Sequence, residues 1–227
     1  MRYNRYAMPV DPRVLQEDFK SSRGTMKDIQ ELLKILKGVS TAHNLQKTEL
    51  TFIKNTIRKL WYSVNFKKGI NLADRENLYP VFREMNRVFK GKKTVPALYR
   101  GVKMPKFAPM GLSENDPGAK EILEGLAYGL RSWSSNKQMA IDWATGVADD
   151  TQSSSKDRDK VVFKISGASV VLDCNAVLNF YYENYFRGIT VNDFFLDGDE
   201  YILKLEEPEV VGIEHIKDDL YQVSVSD

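Results

Sequence analysis

The sequence predicts an α+β protein in which a helical amino-terminal part precedes a mixed, mostly antiparallel β-sheet. Through the first ninety or so positions, apolar residues recur at spacings of three and four, which is the period of an amphipathic helix. From residue 94 onward, short β-like runs separated by turn residues replace that pattern. Strands that follow helices, rather than alternating with them, indicate that the two kinds of element lie in separate layers.

Three apolar stripes define the predicted helices. The stripes are Ile29, Leu32, Leu33 and Leu36, then Ile53, Ile57, Leu60, Trp61 and Val64, then Leu78, Phe82, Met85 and Phe89. Thr25 and Asp28 are spaced as a capping pair before the first stripe, and Gly38 is placed to end that helix. We interpret all three stripes as core-facing rather than as membrane or cofactor surfaces.

Strand-like runs occupy most of the remaining chain. They cover residues 94–102, 160–166, 169–173, 200–205, 209–213 and 220–225, and a further strand ends at Ser134. Residues 147–159 contain almost no apolar side chains and are predicted to form a surface loop. We expect residues 1–93 to pack on a core made by residues 94–227 rather than to fold independently.

Composition argues against several classes of protein. With 227 residues, 42% hydrophobic and 28% charged, the chain is typical of soluble globular proteins, and no apolar run approaches the ~20 residues of a membrane span. Its first residues lack the apolar core of a secretory signal, and the lone Cys174 cannot form a disulfide within the chain, so we expect a cytoplasmic location. His43, His215 and Cys174 do not make a convincing zinc site or a Ser-His-Asp site, and no metal is predicted.

The formal net charge of +2 hides a strong asymmetry along the chain. Residues 1–110 carry 23 Lys and Arg against 9 Asp and Glu, a charge of +14, and the rest carry 10 against 22, a charge of −12. A basic half of this kind could bind nucleic acid or an acidic protein face. Equally, the two halves could fold against each other so that the field largely cancels.

Three short polar signals occur in order along the predicted sheet. Arg100 stands at a strand end before Gly101, where a fixed guanidinium suits a diphosphate. Ser132 and Ser134 end a strand just before a helix, and Glu200 begins an apolar strand from which a carboxylate can point into a cleft. Taken singly, each has an ordinary structural explanation: an ion-pair partner, a turn with a helix cap at Asn136, and a solvated acidic turn.

The ordered trio resembles the split active site of the mono-ADP-ribosyltransferases, in particular the Mod and Alt enzymes of T-even phages. The motifs are Ala97-Leu-Tyr-Arg-Gly-Val102, the run from Ser132 to Gly146 with its small and aromatic helix residues, and Phe195-Leu-Asp-Gly-Asp-Glu-Tyr-Ile-Leu203. The resemblance covers roughly residues 95–215. It implies a split β-sheet core of the ADP-ribosyltransferase type.

The resemblance also implies roles for the site residues, with NAD as co-substrate and no metal. Arg100 would hold the NAD pyrophosphate, and Gly101 would bring main-chain groups to the nicotinamide carboxamide. Ser132 would orient Glu200, the catalytic carboxylate, and Ser134 would belong to the same NAD-binding motif. Nicotinamide is the leaving group in this chemistry.

The loop before Glu200 resembles the loop with which these enzymes recognise their acceptor. It contains Phe195, Asp197 and Asp199, but Gly198 stands where arginine-modifying relatives usually have a second glutamate. This departure leaves an NAD glycohydrolase as an alternative to a transferase, and the basic half leaves a noncatalytic binding module as another. The resemblance implies a host acceptor protein, such as RNA polymerase or a ribosomal or translation protein, with RNA as a lesser alternative.

Overall fold

Two units make up the described part of the chain. The computed structural model describes residues 26–65, 77–105, 116–146, 158–184 and 199–227. A helical unit takes the described residues of Met1–Lys90 and Ala176–Gly198, and a sheet unit takes those of Gly91–Asn175 and Asp199–Asp227. The predicted division at residues 93 and 94 stays a prediction of the sequence.

The helical unit confirms the three apolar stripes. Its helices are α1 (Met26–Lys37), α2 (Lys47–Asn65) and α3 (Leu78–Val88), with a short 3₁₀ turn at Ala42–Asn44. Their buried residues include Ile29, Leu32, Leu36, Ile53, Ile57, Leu60, Leu78, Phe82, Met85 and, just after α3, Phe89. Thr25 and the side chains of Trp61 and Val64 lie outside the described part. As predicted, α1 ends just before Gly38, whose N–H bonds to the carbonyl oxygens of Lys34 and Ile35.

Arg87 of α3 fixes the end of α1. Its guanidinium donates hydrogen bonds to the carbonyl oxygens of Leu36 at 2.9 Å, Val39 at 2.9 Å and Ser40 at 3.3 Å. The last carbonyls of a helix have no partner within the helix and carry partial negative charge, so a cation at this position is favourable. A single side chain therefore ties two helices together.

Two helices were not predicted from the sequence, α4 (Pro117–Ala127) and α6 (Cys174–Asn184). The start of α4 does carry a signal, since the Asp116 side chain caps it and Pro117 occupies its first position. For α6 the signal is weaker, because its apolar residues form a continuous cluster rather than a stripe. In the helical unit, Tyr181 of α6 is buried and donates a hydrogen bond to the carbonyl oxygen of Leu50 at 2.7 Å.

The sheet unit contains seven strands in one sheet. They are β1 (Thr94–Pro105), β2 (Gly129–Ser134), β3 (Arg158–Ser169), β4 (Leu172–Asp173), β5 (Glu200–Leu205), β6 (Glu209–Lys217) and β7 (Leu220–Ser226). Their order is β4-β5-β2-β1-β3-β7-β6, and every neighbouring pair is antiparallel except β3 and β7. The predicted α+β class and the mixed, mostly antiparallel sheet are confirmed.

Four of the predicted strands extend by one to four residues beyond their predicted limits, and two predicted segments differ more clearly from the structure. Residues 169–173 were predicted as one strand, but Ser169 is the last residue of β3, opposite Thr94, and Leu172–Asp173 form the separate short strand β4, because the chain bends between them. The predicted loop 147–159 is too long at its end, since Arg158 and Asp159 already pair with β1, and Asp159 is buried. The rest of that loop lies outside the described residues.

The sheet has a seam between β1 and β2. β1 pairs with β3 along nearly its whole length, whereas among the described residues Tyr99 and Ser134 are the one pair that joins β1 to β2. The seam separates the group β4-β5-β2 from the group β1-β3-β7-β6. One core cluster contains residues of both groups and of α4, including Leu98, Phe163, Val223, Trp133, Leu203 and Leu123. The predicted split of the sheet is thus visible as a seam held by a single residue pair.

A second, smaller cluster lies under helix α5 (Lys137–Thr145). It consists of Ala140 and Ala144 of the helix, Val162 of β3 and Leu220 of β7, with Tyr99 and Ile141 packed against it. Small residues at 140 and 144 let the helix lie close to the sheet. No helix among the described residues is long and apolar enough to cross a membrane.

Candidate active site

The register of β2 with β5 brings the predicted serines and the predicted carboxylate together. Ser134 lies directly opposite Glu200, and Ser132 lies opposite Ile202. Directly opposite residues in antiparallel strands project to the same face, so Ser132, Ser134 and Glu200 share one face of this part of the sheet. The sequence placed these residues 66 and 68 positions apart, and only the pairing shows that they are neighbours.

Glu200 is a buried carboxylate with a defined orientation. Only 5% of its surface is exposed, and its Oε1 accepts a hydrogen bond from the hydroxyl of Ser132. A buried polar group is costly unless it is hydrogen-bonded, and such a bond also fixes the rotamer of the carboxylate. The predicted neighbour relation between Ser132 and Glu200 is therefore present in the structure.

Arg100 reaches across the seam to the same serine. Its Nη1 donates a 2.9 Å hydrogen bond to the main-chain carbonyl oxygen of Ser132, and its side chain is half-buried. This bond joins β1 to β2 beside the single Tyr99–Ser134 pair. The three sequence signals, from three different strands, thus meet at the seam.

Ser134 is held in the turn that leads into α5. Its hydroxyl oxygen accepts a 3.0 Å hydrogen bond from the Asn136 N–H and lies 3.6 Å from the sulfur of Met139. The Asn136 side chain accepts hydrogen bonds from the N–H groups of Gln138 and Met139, as expected for a helix cap. Asn136 is therefore the helix cap that the sequence indicated, and Ser134, in the same turn, also lies opposite Glu200.

Gly101 allows α5 to lie against β1. A Cβ at this position would overlap the carbonyl oxygen of Ala140 and lie 2.8 Å from the main-chain nitrogen of Ala144. Any side chain would therefore push the helix off the strand. Packing against α5 therefore requires glycine at position 101, which the sequence alone did not indicate. The contact of Gly101 with nicotinamide stays a proposal.

Cys174 and Asp173 were not predicted as neighbours of the site. Cys174 is fully buried, which raises the pKa of its thiol well above its ordinary value, and the charges of Glu200 and Asp173 raise it further. The Asp173 carboxylate accepts hydrogen bonds from the N–H groups of Asn175 and Lys92, so it caps α6 and holds the entry to β1. A protonated, buried thiol is a poor nucleophile, and we assign Cys174 no chemical role.

The predicted acceptor residues are described only in part. Phe195 and Asp197 lie outside the described residues. Asp199 directly precedes β5, and its carbonyl oxygen accepts a 2.9 Å hydrogen bond from the N–H of Ser135. This bond fixes the end of the predicted acceptor loop against the turn that contains Ser134.

The described residues at the seam offer a ligand one cationic and one anionic group. Within the described ranges there is no group of three or more His, Cys, Asp or Glu that could hold a metal ion. A half-buried guanidinium and a buried, oriented carboxylate lie on either side of Ser132. NAD offers a matching pair of groups, since its diphosphate is negative and its nicotinamide ribose becomes positive as the glycosidic bond breaks.

Comparisons with known proteins give structural matches alone. Neither a protein-family model nor a curated protein matches the chain. Among solved structures, the chain is similar to the ADP-ribosyltransferase HopU1 of Pseudomonas syringae pv. Tomato, with 11% identity over 90% of this chain and 99% of that one, at a TM-score of 0.39.

Two further solved structures are ADP-ribosyltransferase toxins. Vis from Vibrio splendidus is 13% identical over 92% of this chain and 88% of its own, at a TM-score of 0.35. Plx2a from Paenibacillus larvae is 12% identical over 87% and 95%, also at 0.35. All three TM-scores are below 0.5.

Proposed function

We propose that this protein is an NAD-dependent mono-ADP-ribosyltransferase, which moves ADP-ribose from NAD to a macromolecular acceptor and releases nicotinamide. The observation that supports it is the hydrogen bond from Ser132 to the buried Glu200, at the point where Arg100 crosses the seam to the Ser132 carbonyl. Arginine, serine and glutamate come from three strands, and their meeting follows from the fold rather than from local sequence.

Glu200 would stabilise the charge that develops during the reaction. The bond between the ribose C1′ and the nicotinamide nitrogen breaks, its electron pair leaves with nicotinamide, and the ribose gains oxocarbenium-like positive charge. A fixed carboxylate in a water-poor site stabilises such charge by several kcal/mol, because it needs no reorganisation when the charge appears. The acceptor nucleophile then forms the new bond to C1′ and loses its proton.

Ser132 and Arg100 would position the reactants. The Ser132 hydroxyl donates to Glu200 and so aims the carboxylate, while the Arg100 guanidinium offers charge-assisted hydrogen bonds to the diphosphate. Holding the diphosphate places the ribose at a fixed distance from Glu200, which lowers the entropic cost of reaching the transition state. Removing the Ser132 hydroxyl should lower kcat about tenfold, the equivalent of one hydrogen bond of roughly 1.4 kcal/mol.

The proposed acceptor is a host protein in the cytoplasm, with transcription and translation proteins as the first choices and RNA as a lesser one. Phe195, Asp197 and Asp199 would contact it. A second function, NAD glycohydrolase, is favoured by Gly198, because arginine-modifying relatives usually have glutamate at that position. In that case water would replace the acceptor on the same site.

The test is label transfer from NAD tagged on its adenine moiety into a host-cell lysate. Wild type is compared with Glu200→Gln, which removes the charge and keeps the shape, and with Arg100→Lys, which removes the planar fork of donors. Glu206→Gln is the matched control, because Glu206 is an exposed carboxylate just after the same strand. Wild type and control should label discrete macromolecules, and the two site variants should not.

Each of the other possible results would lead to a different conclusion about the function. Nicotinamide release that depends on Glu200 without any labelled product would identify a glycohydrolase. If labelling were unchanged in Glu200→Gln, the proposed role of the carboxylate would be wrong. Absence of labelling, nicotinamide release and NAD binding would favour a noncatalytic binding module.

A further inference from the structure

A cavity opens in the sheet unit where β3 and β7 separate. The two strands pair in parallel as far as Ile165 and Val225. Beyond that point β3 continues beside β1 as far as Ser169, whereas Ser226 of β7 stays with β6. The cavity has a volume of about 390 Å³, and its two sides are residues 164–169 and 224–227. Because consecutive residues of each strand line it, side chains from both faces of the sheet border the gap.

This cavity lies away from the seam. Glu200 begins β5, whereas the part of β5 that lines the cavity is its end, Lys204 and Leu205. Five residues of extended strand separate Glu200 from Leu205, a distance of about 17 Å. The volume falls in the range of roughly 300–1,000 Å³ that is usual for sites that bind small molecules. The cavity is therefore a candidate binding site in its own right.

The apolar part of the lining is the margin of the hydrophobic core. The lining residues that belong to the larger core cluster are Ile165, Ala168, Leu205 and Val225. Val211 of β6 also lines the cavity, and 59% of its surface is exposed. Gly167 leaves open space, since a Cβ built there would meet nothing within 4 Å. A ligand that covers Val211 would remove apolar surface from water, which favours binding.

The polar part of the lining contains donors that the protein does not use. Its hydroxyl groups belong to Ser166, Ser169, Ser224 and Ser226. Among the described residues, none of these hydroxyls bonds to protein, and no carboxylate pairs with the half-buried Lys164. By contrast, Lys204 pairs with Glu206 at 2.9 Å, and the Asp227 carboxylate accepts hydrogen bonds from the N–H groups of Glu206 and Glu207. Lys164 thus brings a positive charge to the cavity that no described carboxylate offsets by direct contact.

We propose that this cavity binds a small organic anion, in which a phosphate or carboxylate group is attached to an apolar group. Lys164 and Ser224 lie opposite each other in the register of β3 with β7, at a strand spacing of ~4.8 Å, so an ammonium and a hydroxyl start from neighbouring positions. Both can donate to the oxygens of one anion, and Lys164 supplies the opposite charge. Arg100 and Glu200 do not line the cavity, so this binding requires nothing of the proposed transferase site.

A titration of nitrogen-15-labelled protein followed by NMR tests the proposal. Phenyl phosphate and benzoate are the probes, and inorganic phosphate and benzyl alcohol are controls that lack the ring or the charge. At least one probe should shift the amide signals of residues 164–169 and 224–227, with a Kd in the low millimolar range expected for ligands of about ten non-hydrogen atoms. Both controls should bind at least about fivefold more weakly, and the tighter probe identifies the preferred anionic group.

Charge variants then locate the bound anion. Lys164→Gln should raise the Kd of the tighter probe about three- to tenfold, as expected for a partly exposed charge-assisted contact. Lys217→Gln is the control, because Lys217 is exposed and lies opposite Leu220, at the other end of β7. The exposed Val211 allows changes of both signs, so Val211→Lys should lower the Kd and Val211→Glu should raise it.

Three results would overturn the proposal. The first is that no probe shifts the signals of the cavity residues, and the second is that inorganic phosphate binds as tightly as phenyl phosphate. The third is a Kd that is unchanged in Lys164→Gln and in both Val211 variants. If binding were instead lost in Arg100→Lys and kept in Lys164→Gln, the probe would occupy the seam, and the proposal would again be wrong.

Discussion

Replacing Gly101 with alanine tests whether the site depends on the close contact between β1 and α5. The added methyl group would overlap the Ala140 carbonyl oxygen and lie 2.8 Å from the Ala144 nitrogen. Both are main-chain atoms in the middle of a helix, so neither can rotate away as the end of a flexible side chain could. The helix as a whole must shift, and the small cluster beneath it must repack.

The loss of stability in Gly101→Ala can be estimated from this overlap with main-chain atoms. Overpacking in a well-packed core typically costs about 1–3 kcal/mol, and rigid main-chain partners favour the upper end. For a chain of this length, about 3 kcal/mol lowers Tm by roughly 6–12 °C. Movement of α5 would also displace the turn containing Ser134 and Asn136, so activity should fall even at temperatures where the variant is folded.

Thermal unfolding followed by circular dichroism measures this directly, with Gly125→Ala as the matched control. Gly125 lies in α4, and nothing lies within 4 Å of a Cβ built there. The same substitution should therefore stabilise the protein by about 0.5–1 kcal/mol, because alanine is the better helix former. A Tm for Gly101→Ala within 1 °C (about the precision of such scans, ~0.3 kcal/mol here) of wild type would refute the reasoning.

Three further predictions concern stability. Arg87→Ala should lower the free energy of unfolding by about 2–3 kcal/mol in urea denaturation, because the three carbonyl oxygens lose the guanidinium as donor and the ion pair with Glu84 is lost. Arg83→Ala, which loses one cation–π contact, should cost under about 1 kcal/mol, and equal losses would contradict the capping role. Asp116→Ala and Asn136→Ala each remove a helix cap worth about 1 kcal/mol, but only the second should reduce activity, since α5 alone adjoins Ser134. Because the pKa of Cys174 is raised in the folded state, unfolding releases a proton above about pH 8.5, so stability should fall as pH rises beyond that value, and Cys174→Ala should flatten this slope; an unchanged slope would show that another group controls it.

The sequence predicted the helices and strands whose apolar residues have a clear period. The described residues of the three predicted stripes are buried as expected except Leu33, which is half-buried, and the side chains of Trp61 and Val64 lie outside the described part. The strand predicted at residues 200–205 has the observed limits. A period identifies an element and the face that it buries, because burial is what selects apolar residues at those positions. It does not identify helix α6, whose apolar residues show no stripe.

The site could be predicted only as a set of residues. Arg100, Ser132 and Glu200 were identified from the motifs, but strand register determines which side chains touch, and register is not readable from a single strand. Gly101 was singled out for its place beside Arg100, whereas its close approach to α5 depends on how the helix crosses β1.

The seam between β1 and β2 affects how the protein moves. Among the described residues, one residue pair and the bond from Arg100 to the Ser132 carbonyl join β1 to β2. The sheet can bend along this line more easily than elsewhere, because few ladder hydrogen bonds must be distorted. A ligand bound to residues on both sides of the seam would act as a brace. Its binding should then appear as slower amide hydrogen exchange along β1 and β2, so that the stiffness of the sheet reports on occupancy of the site.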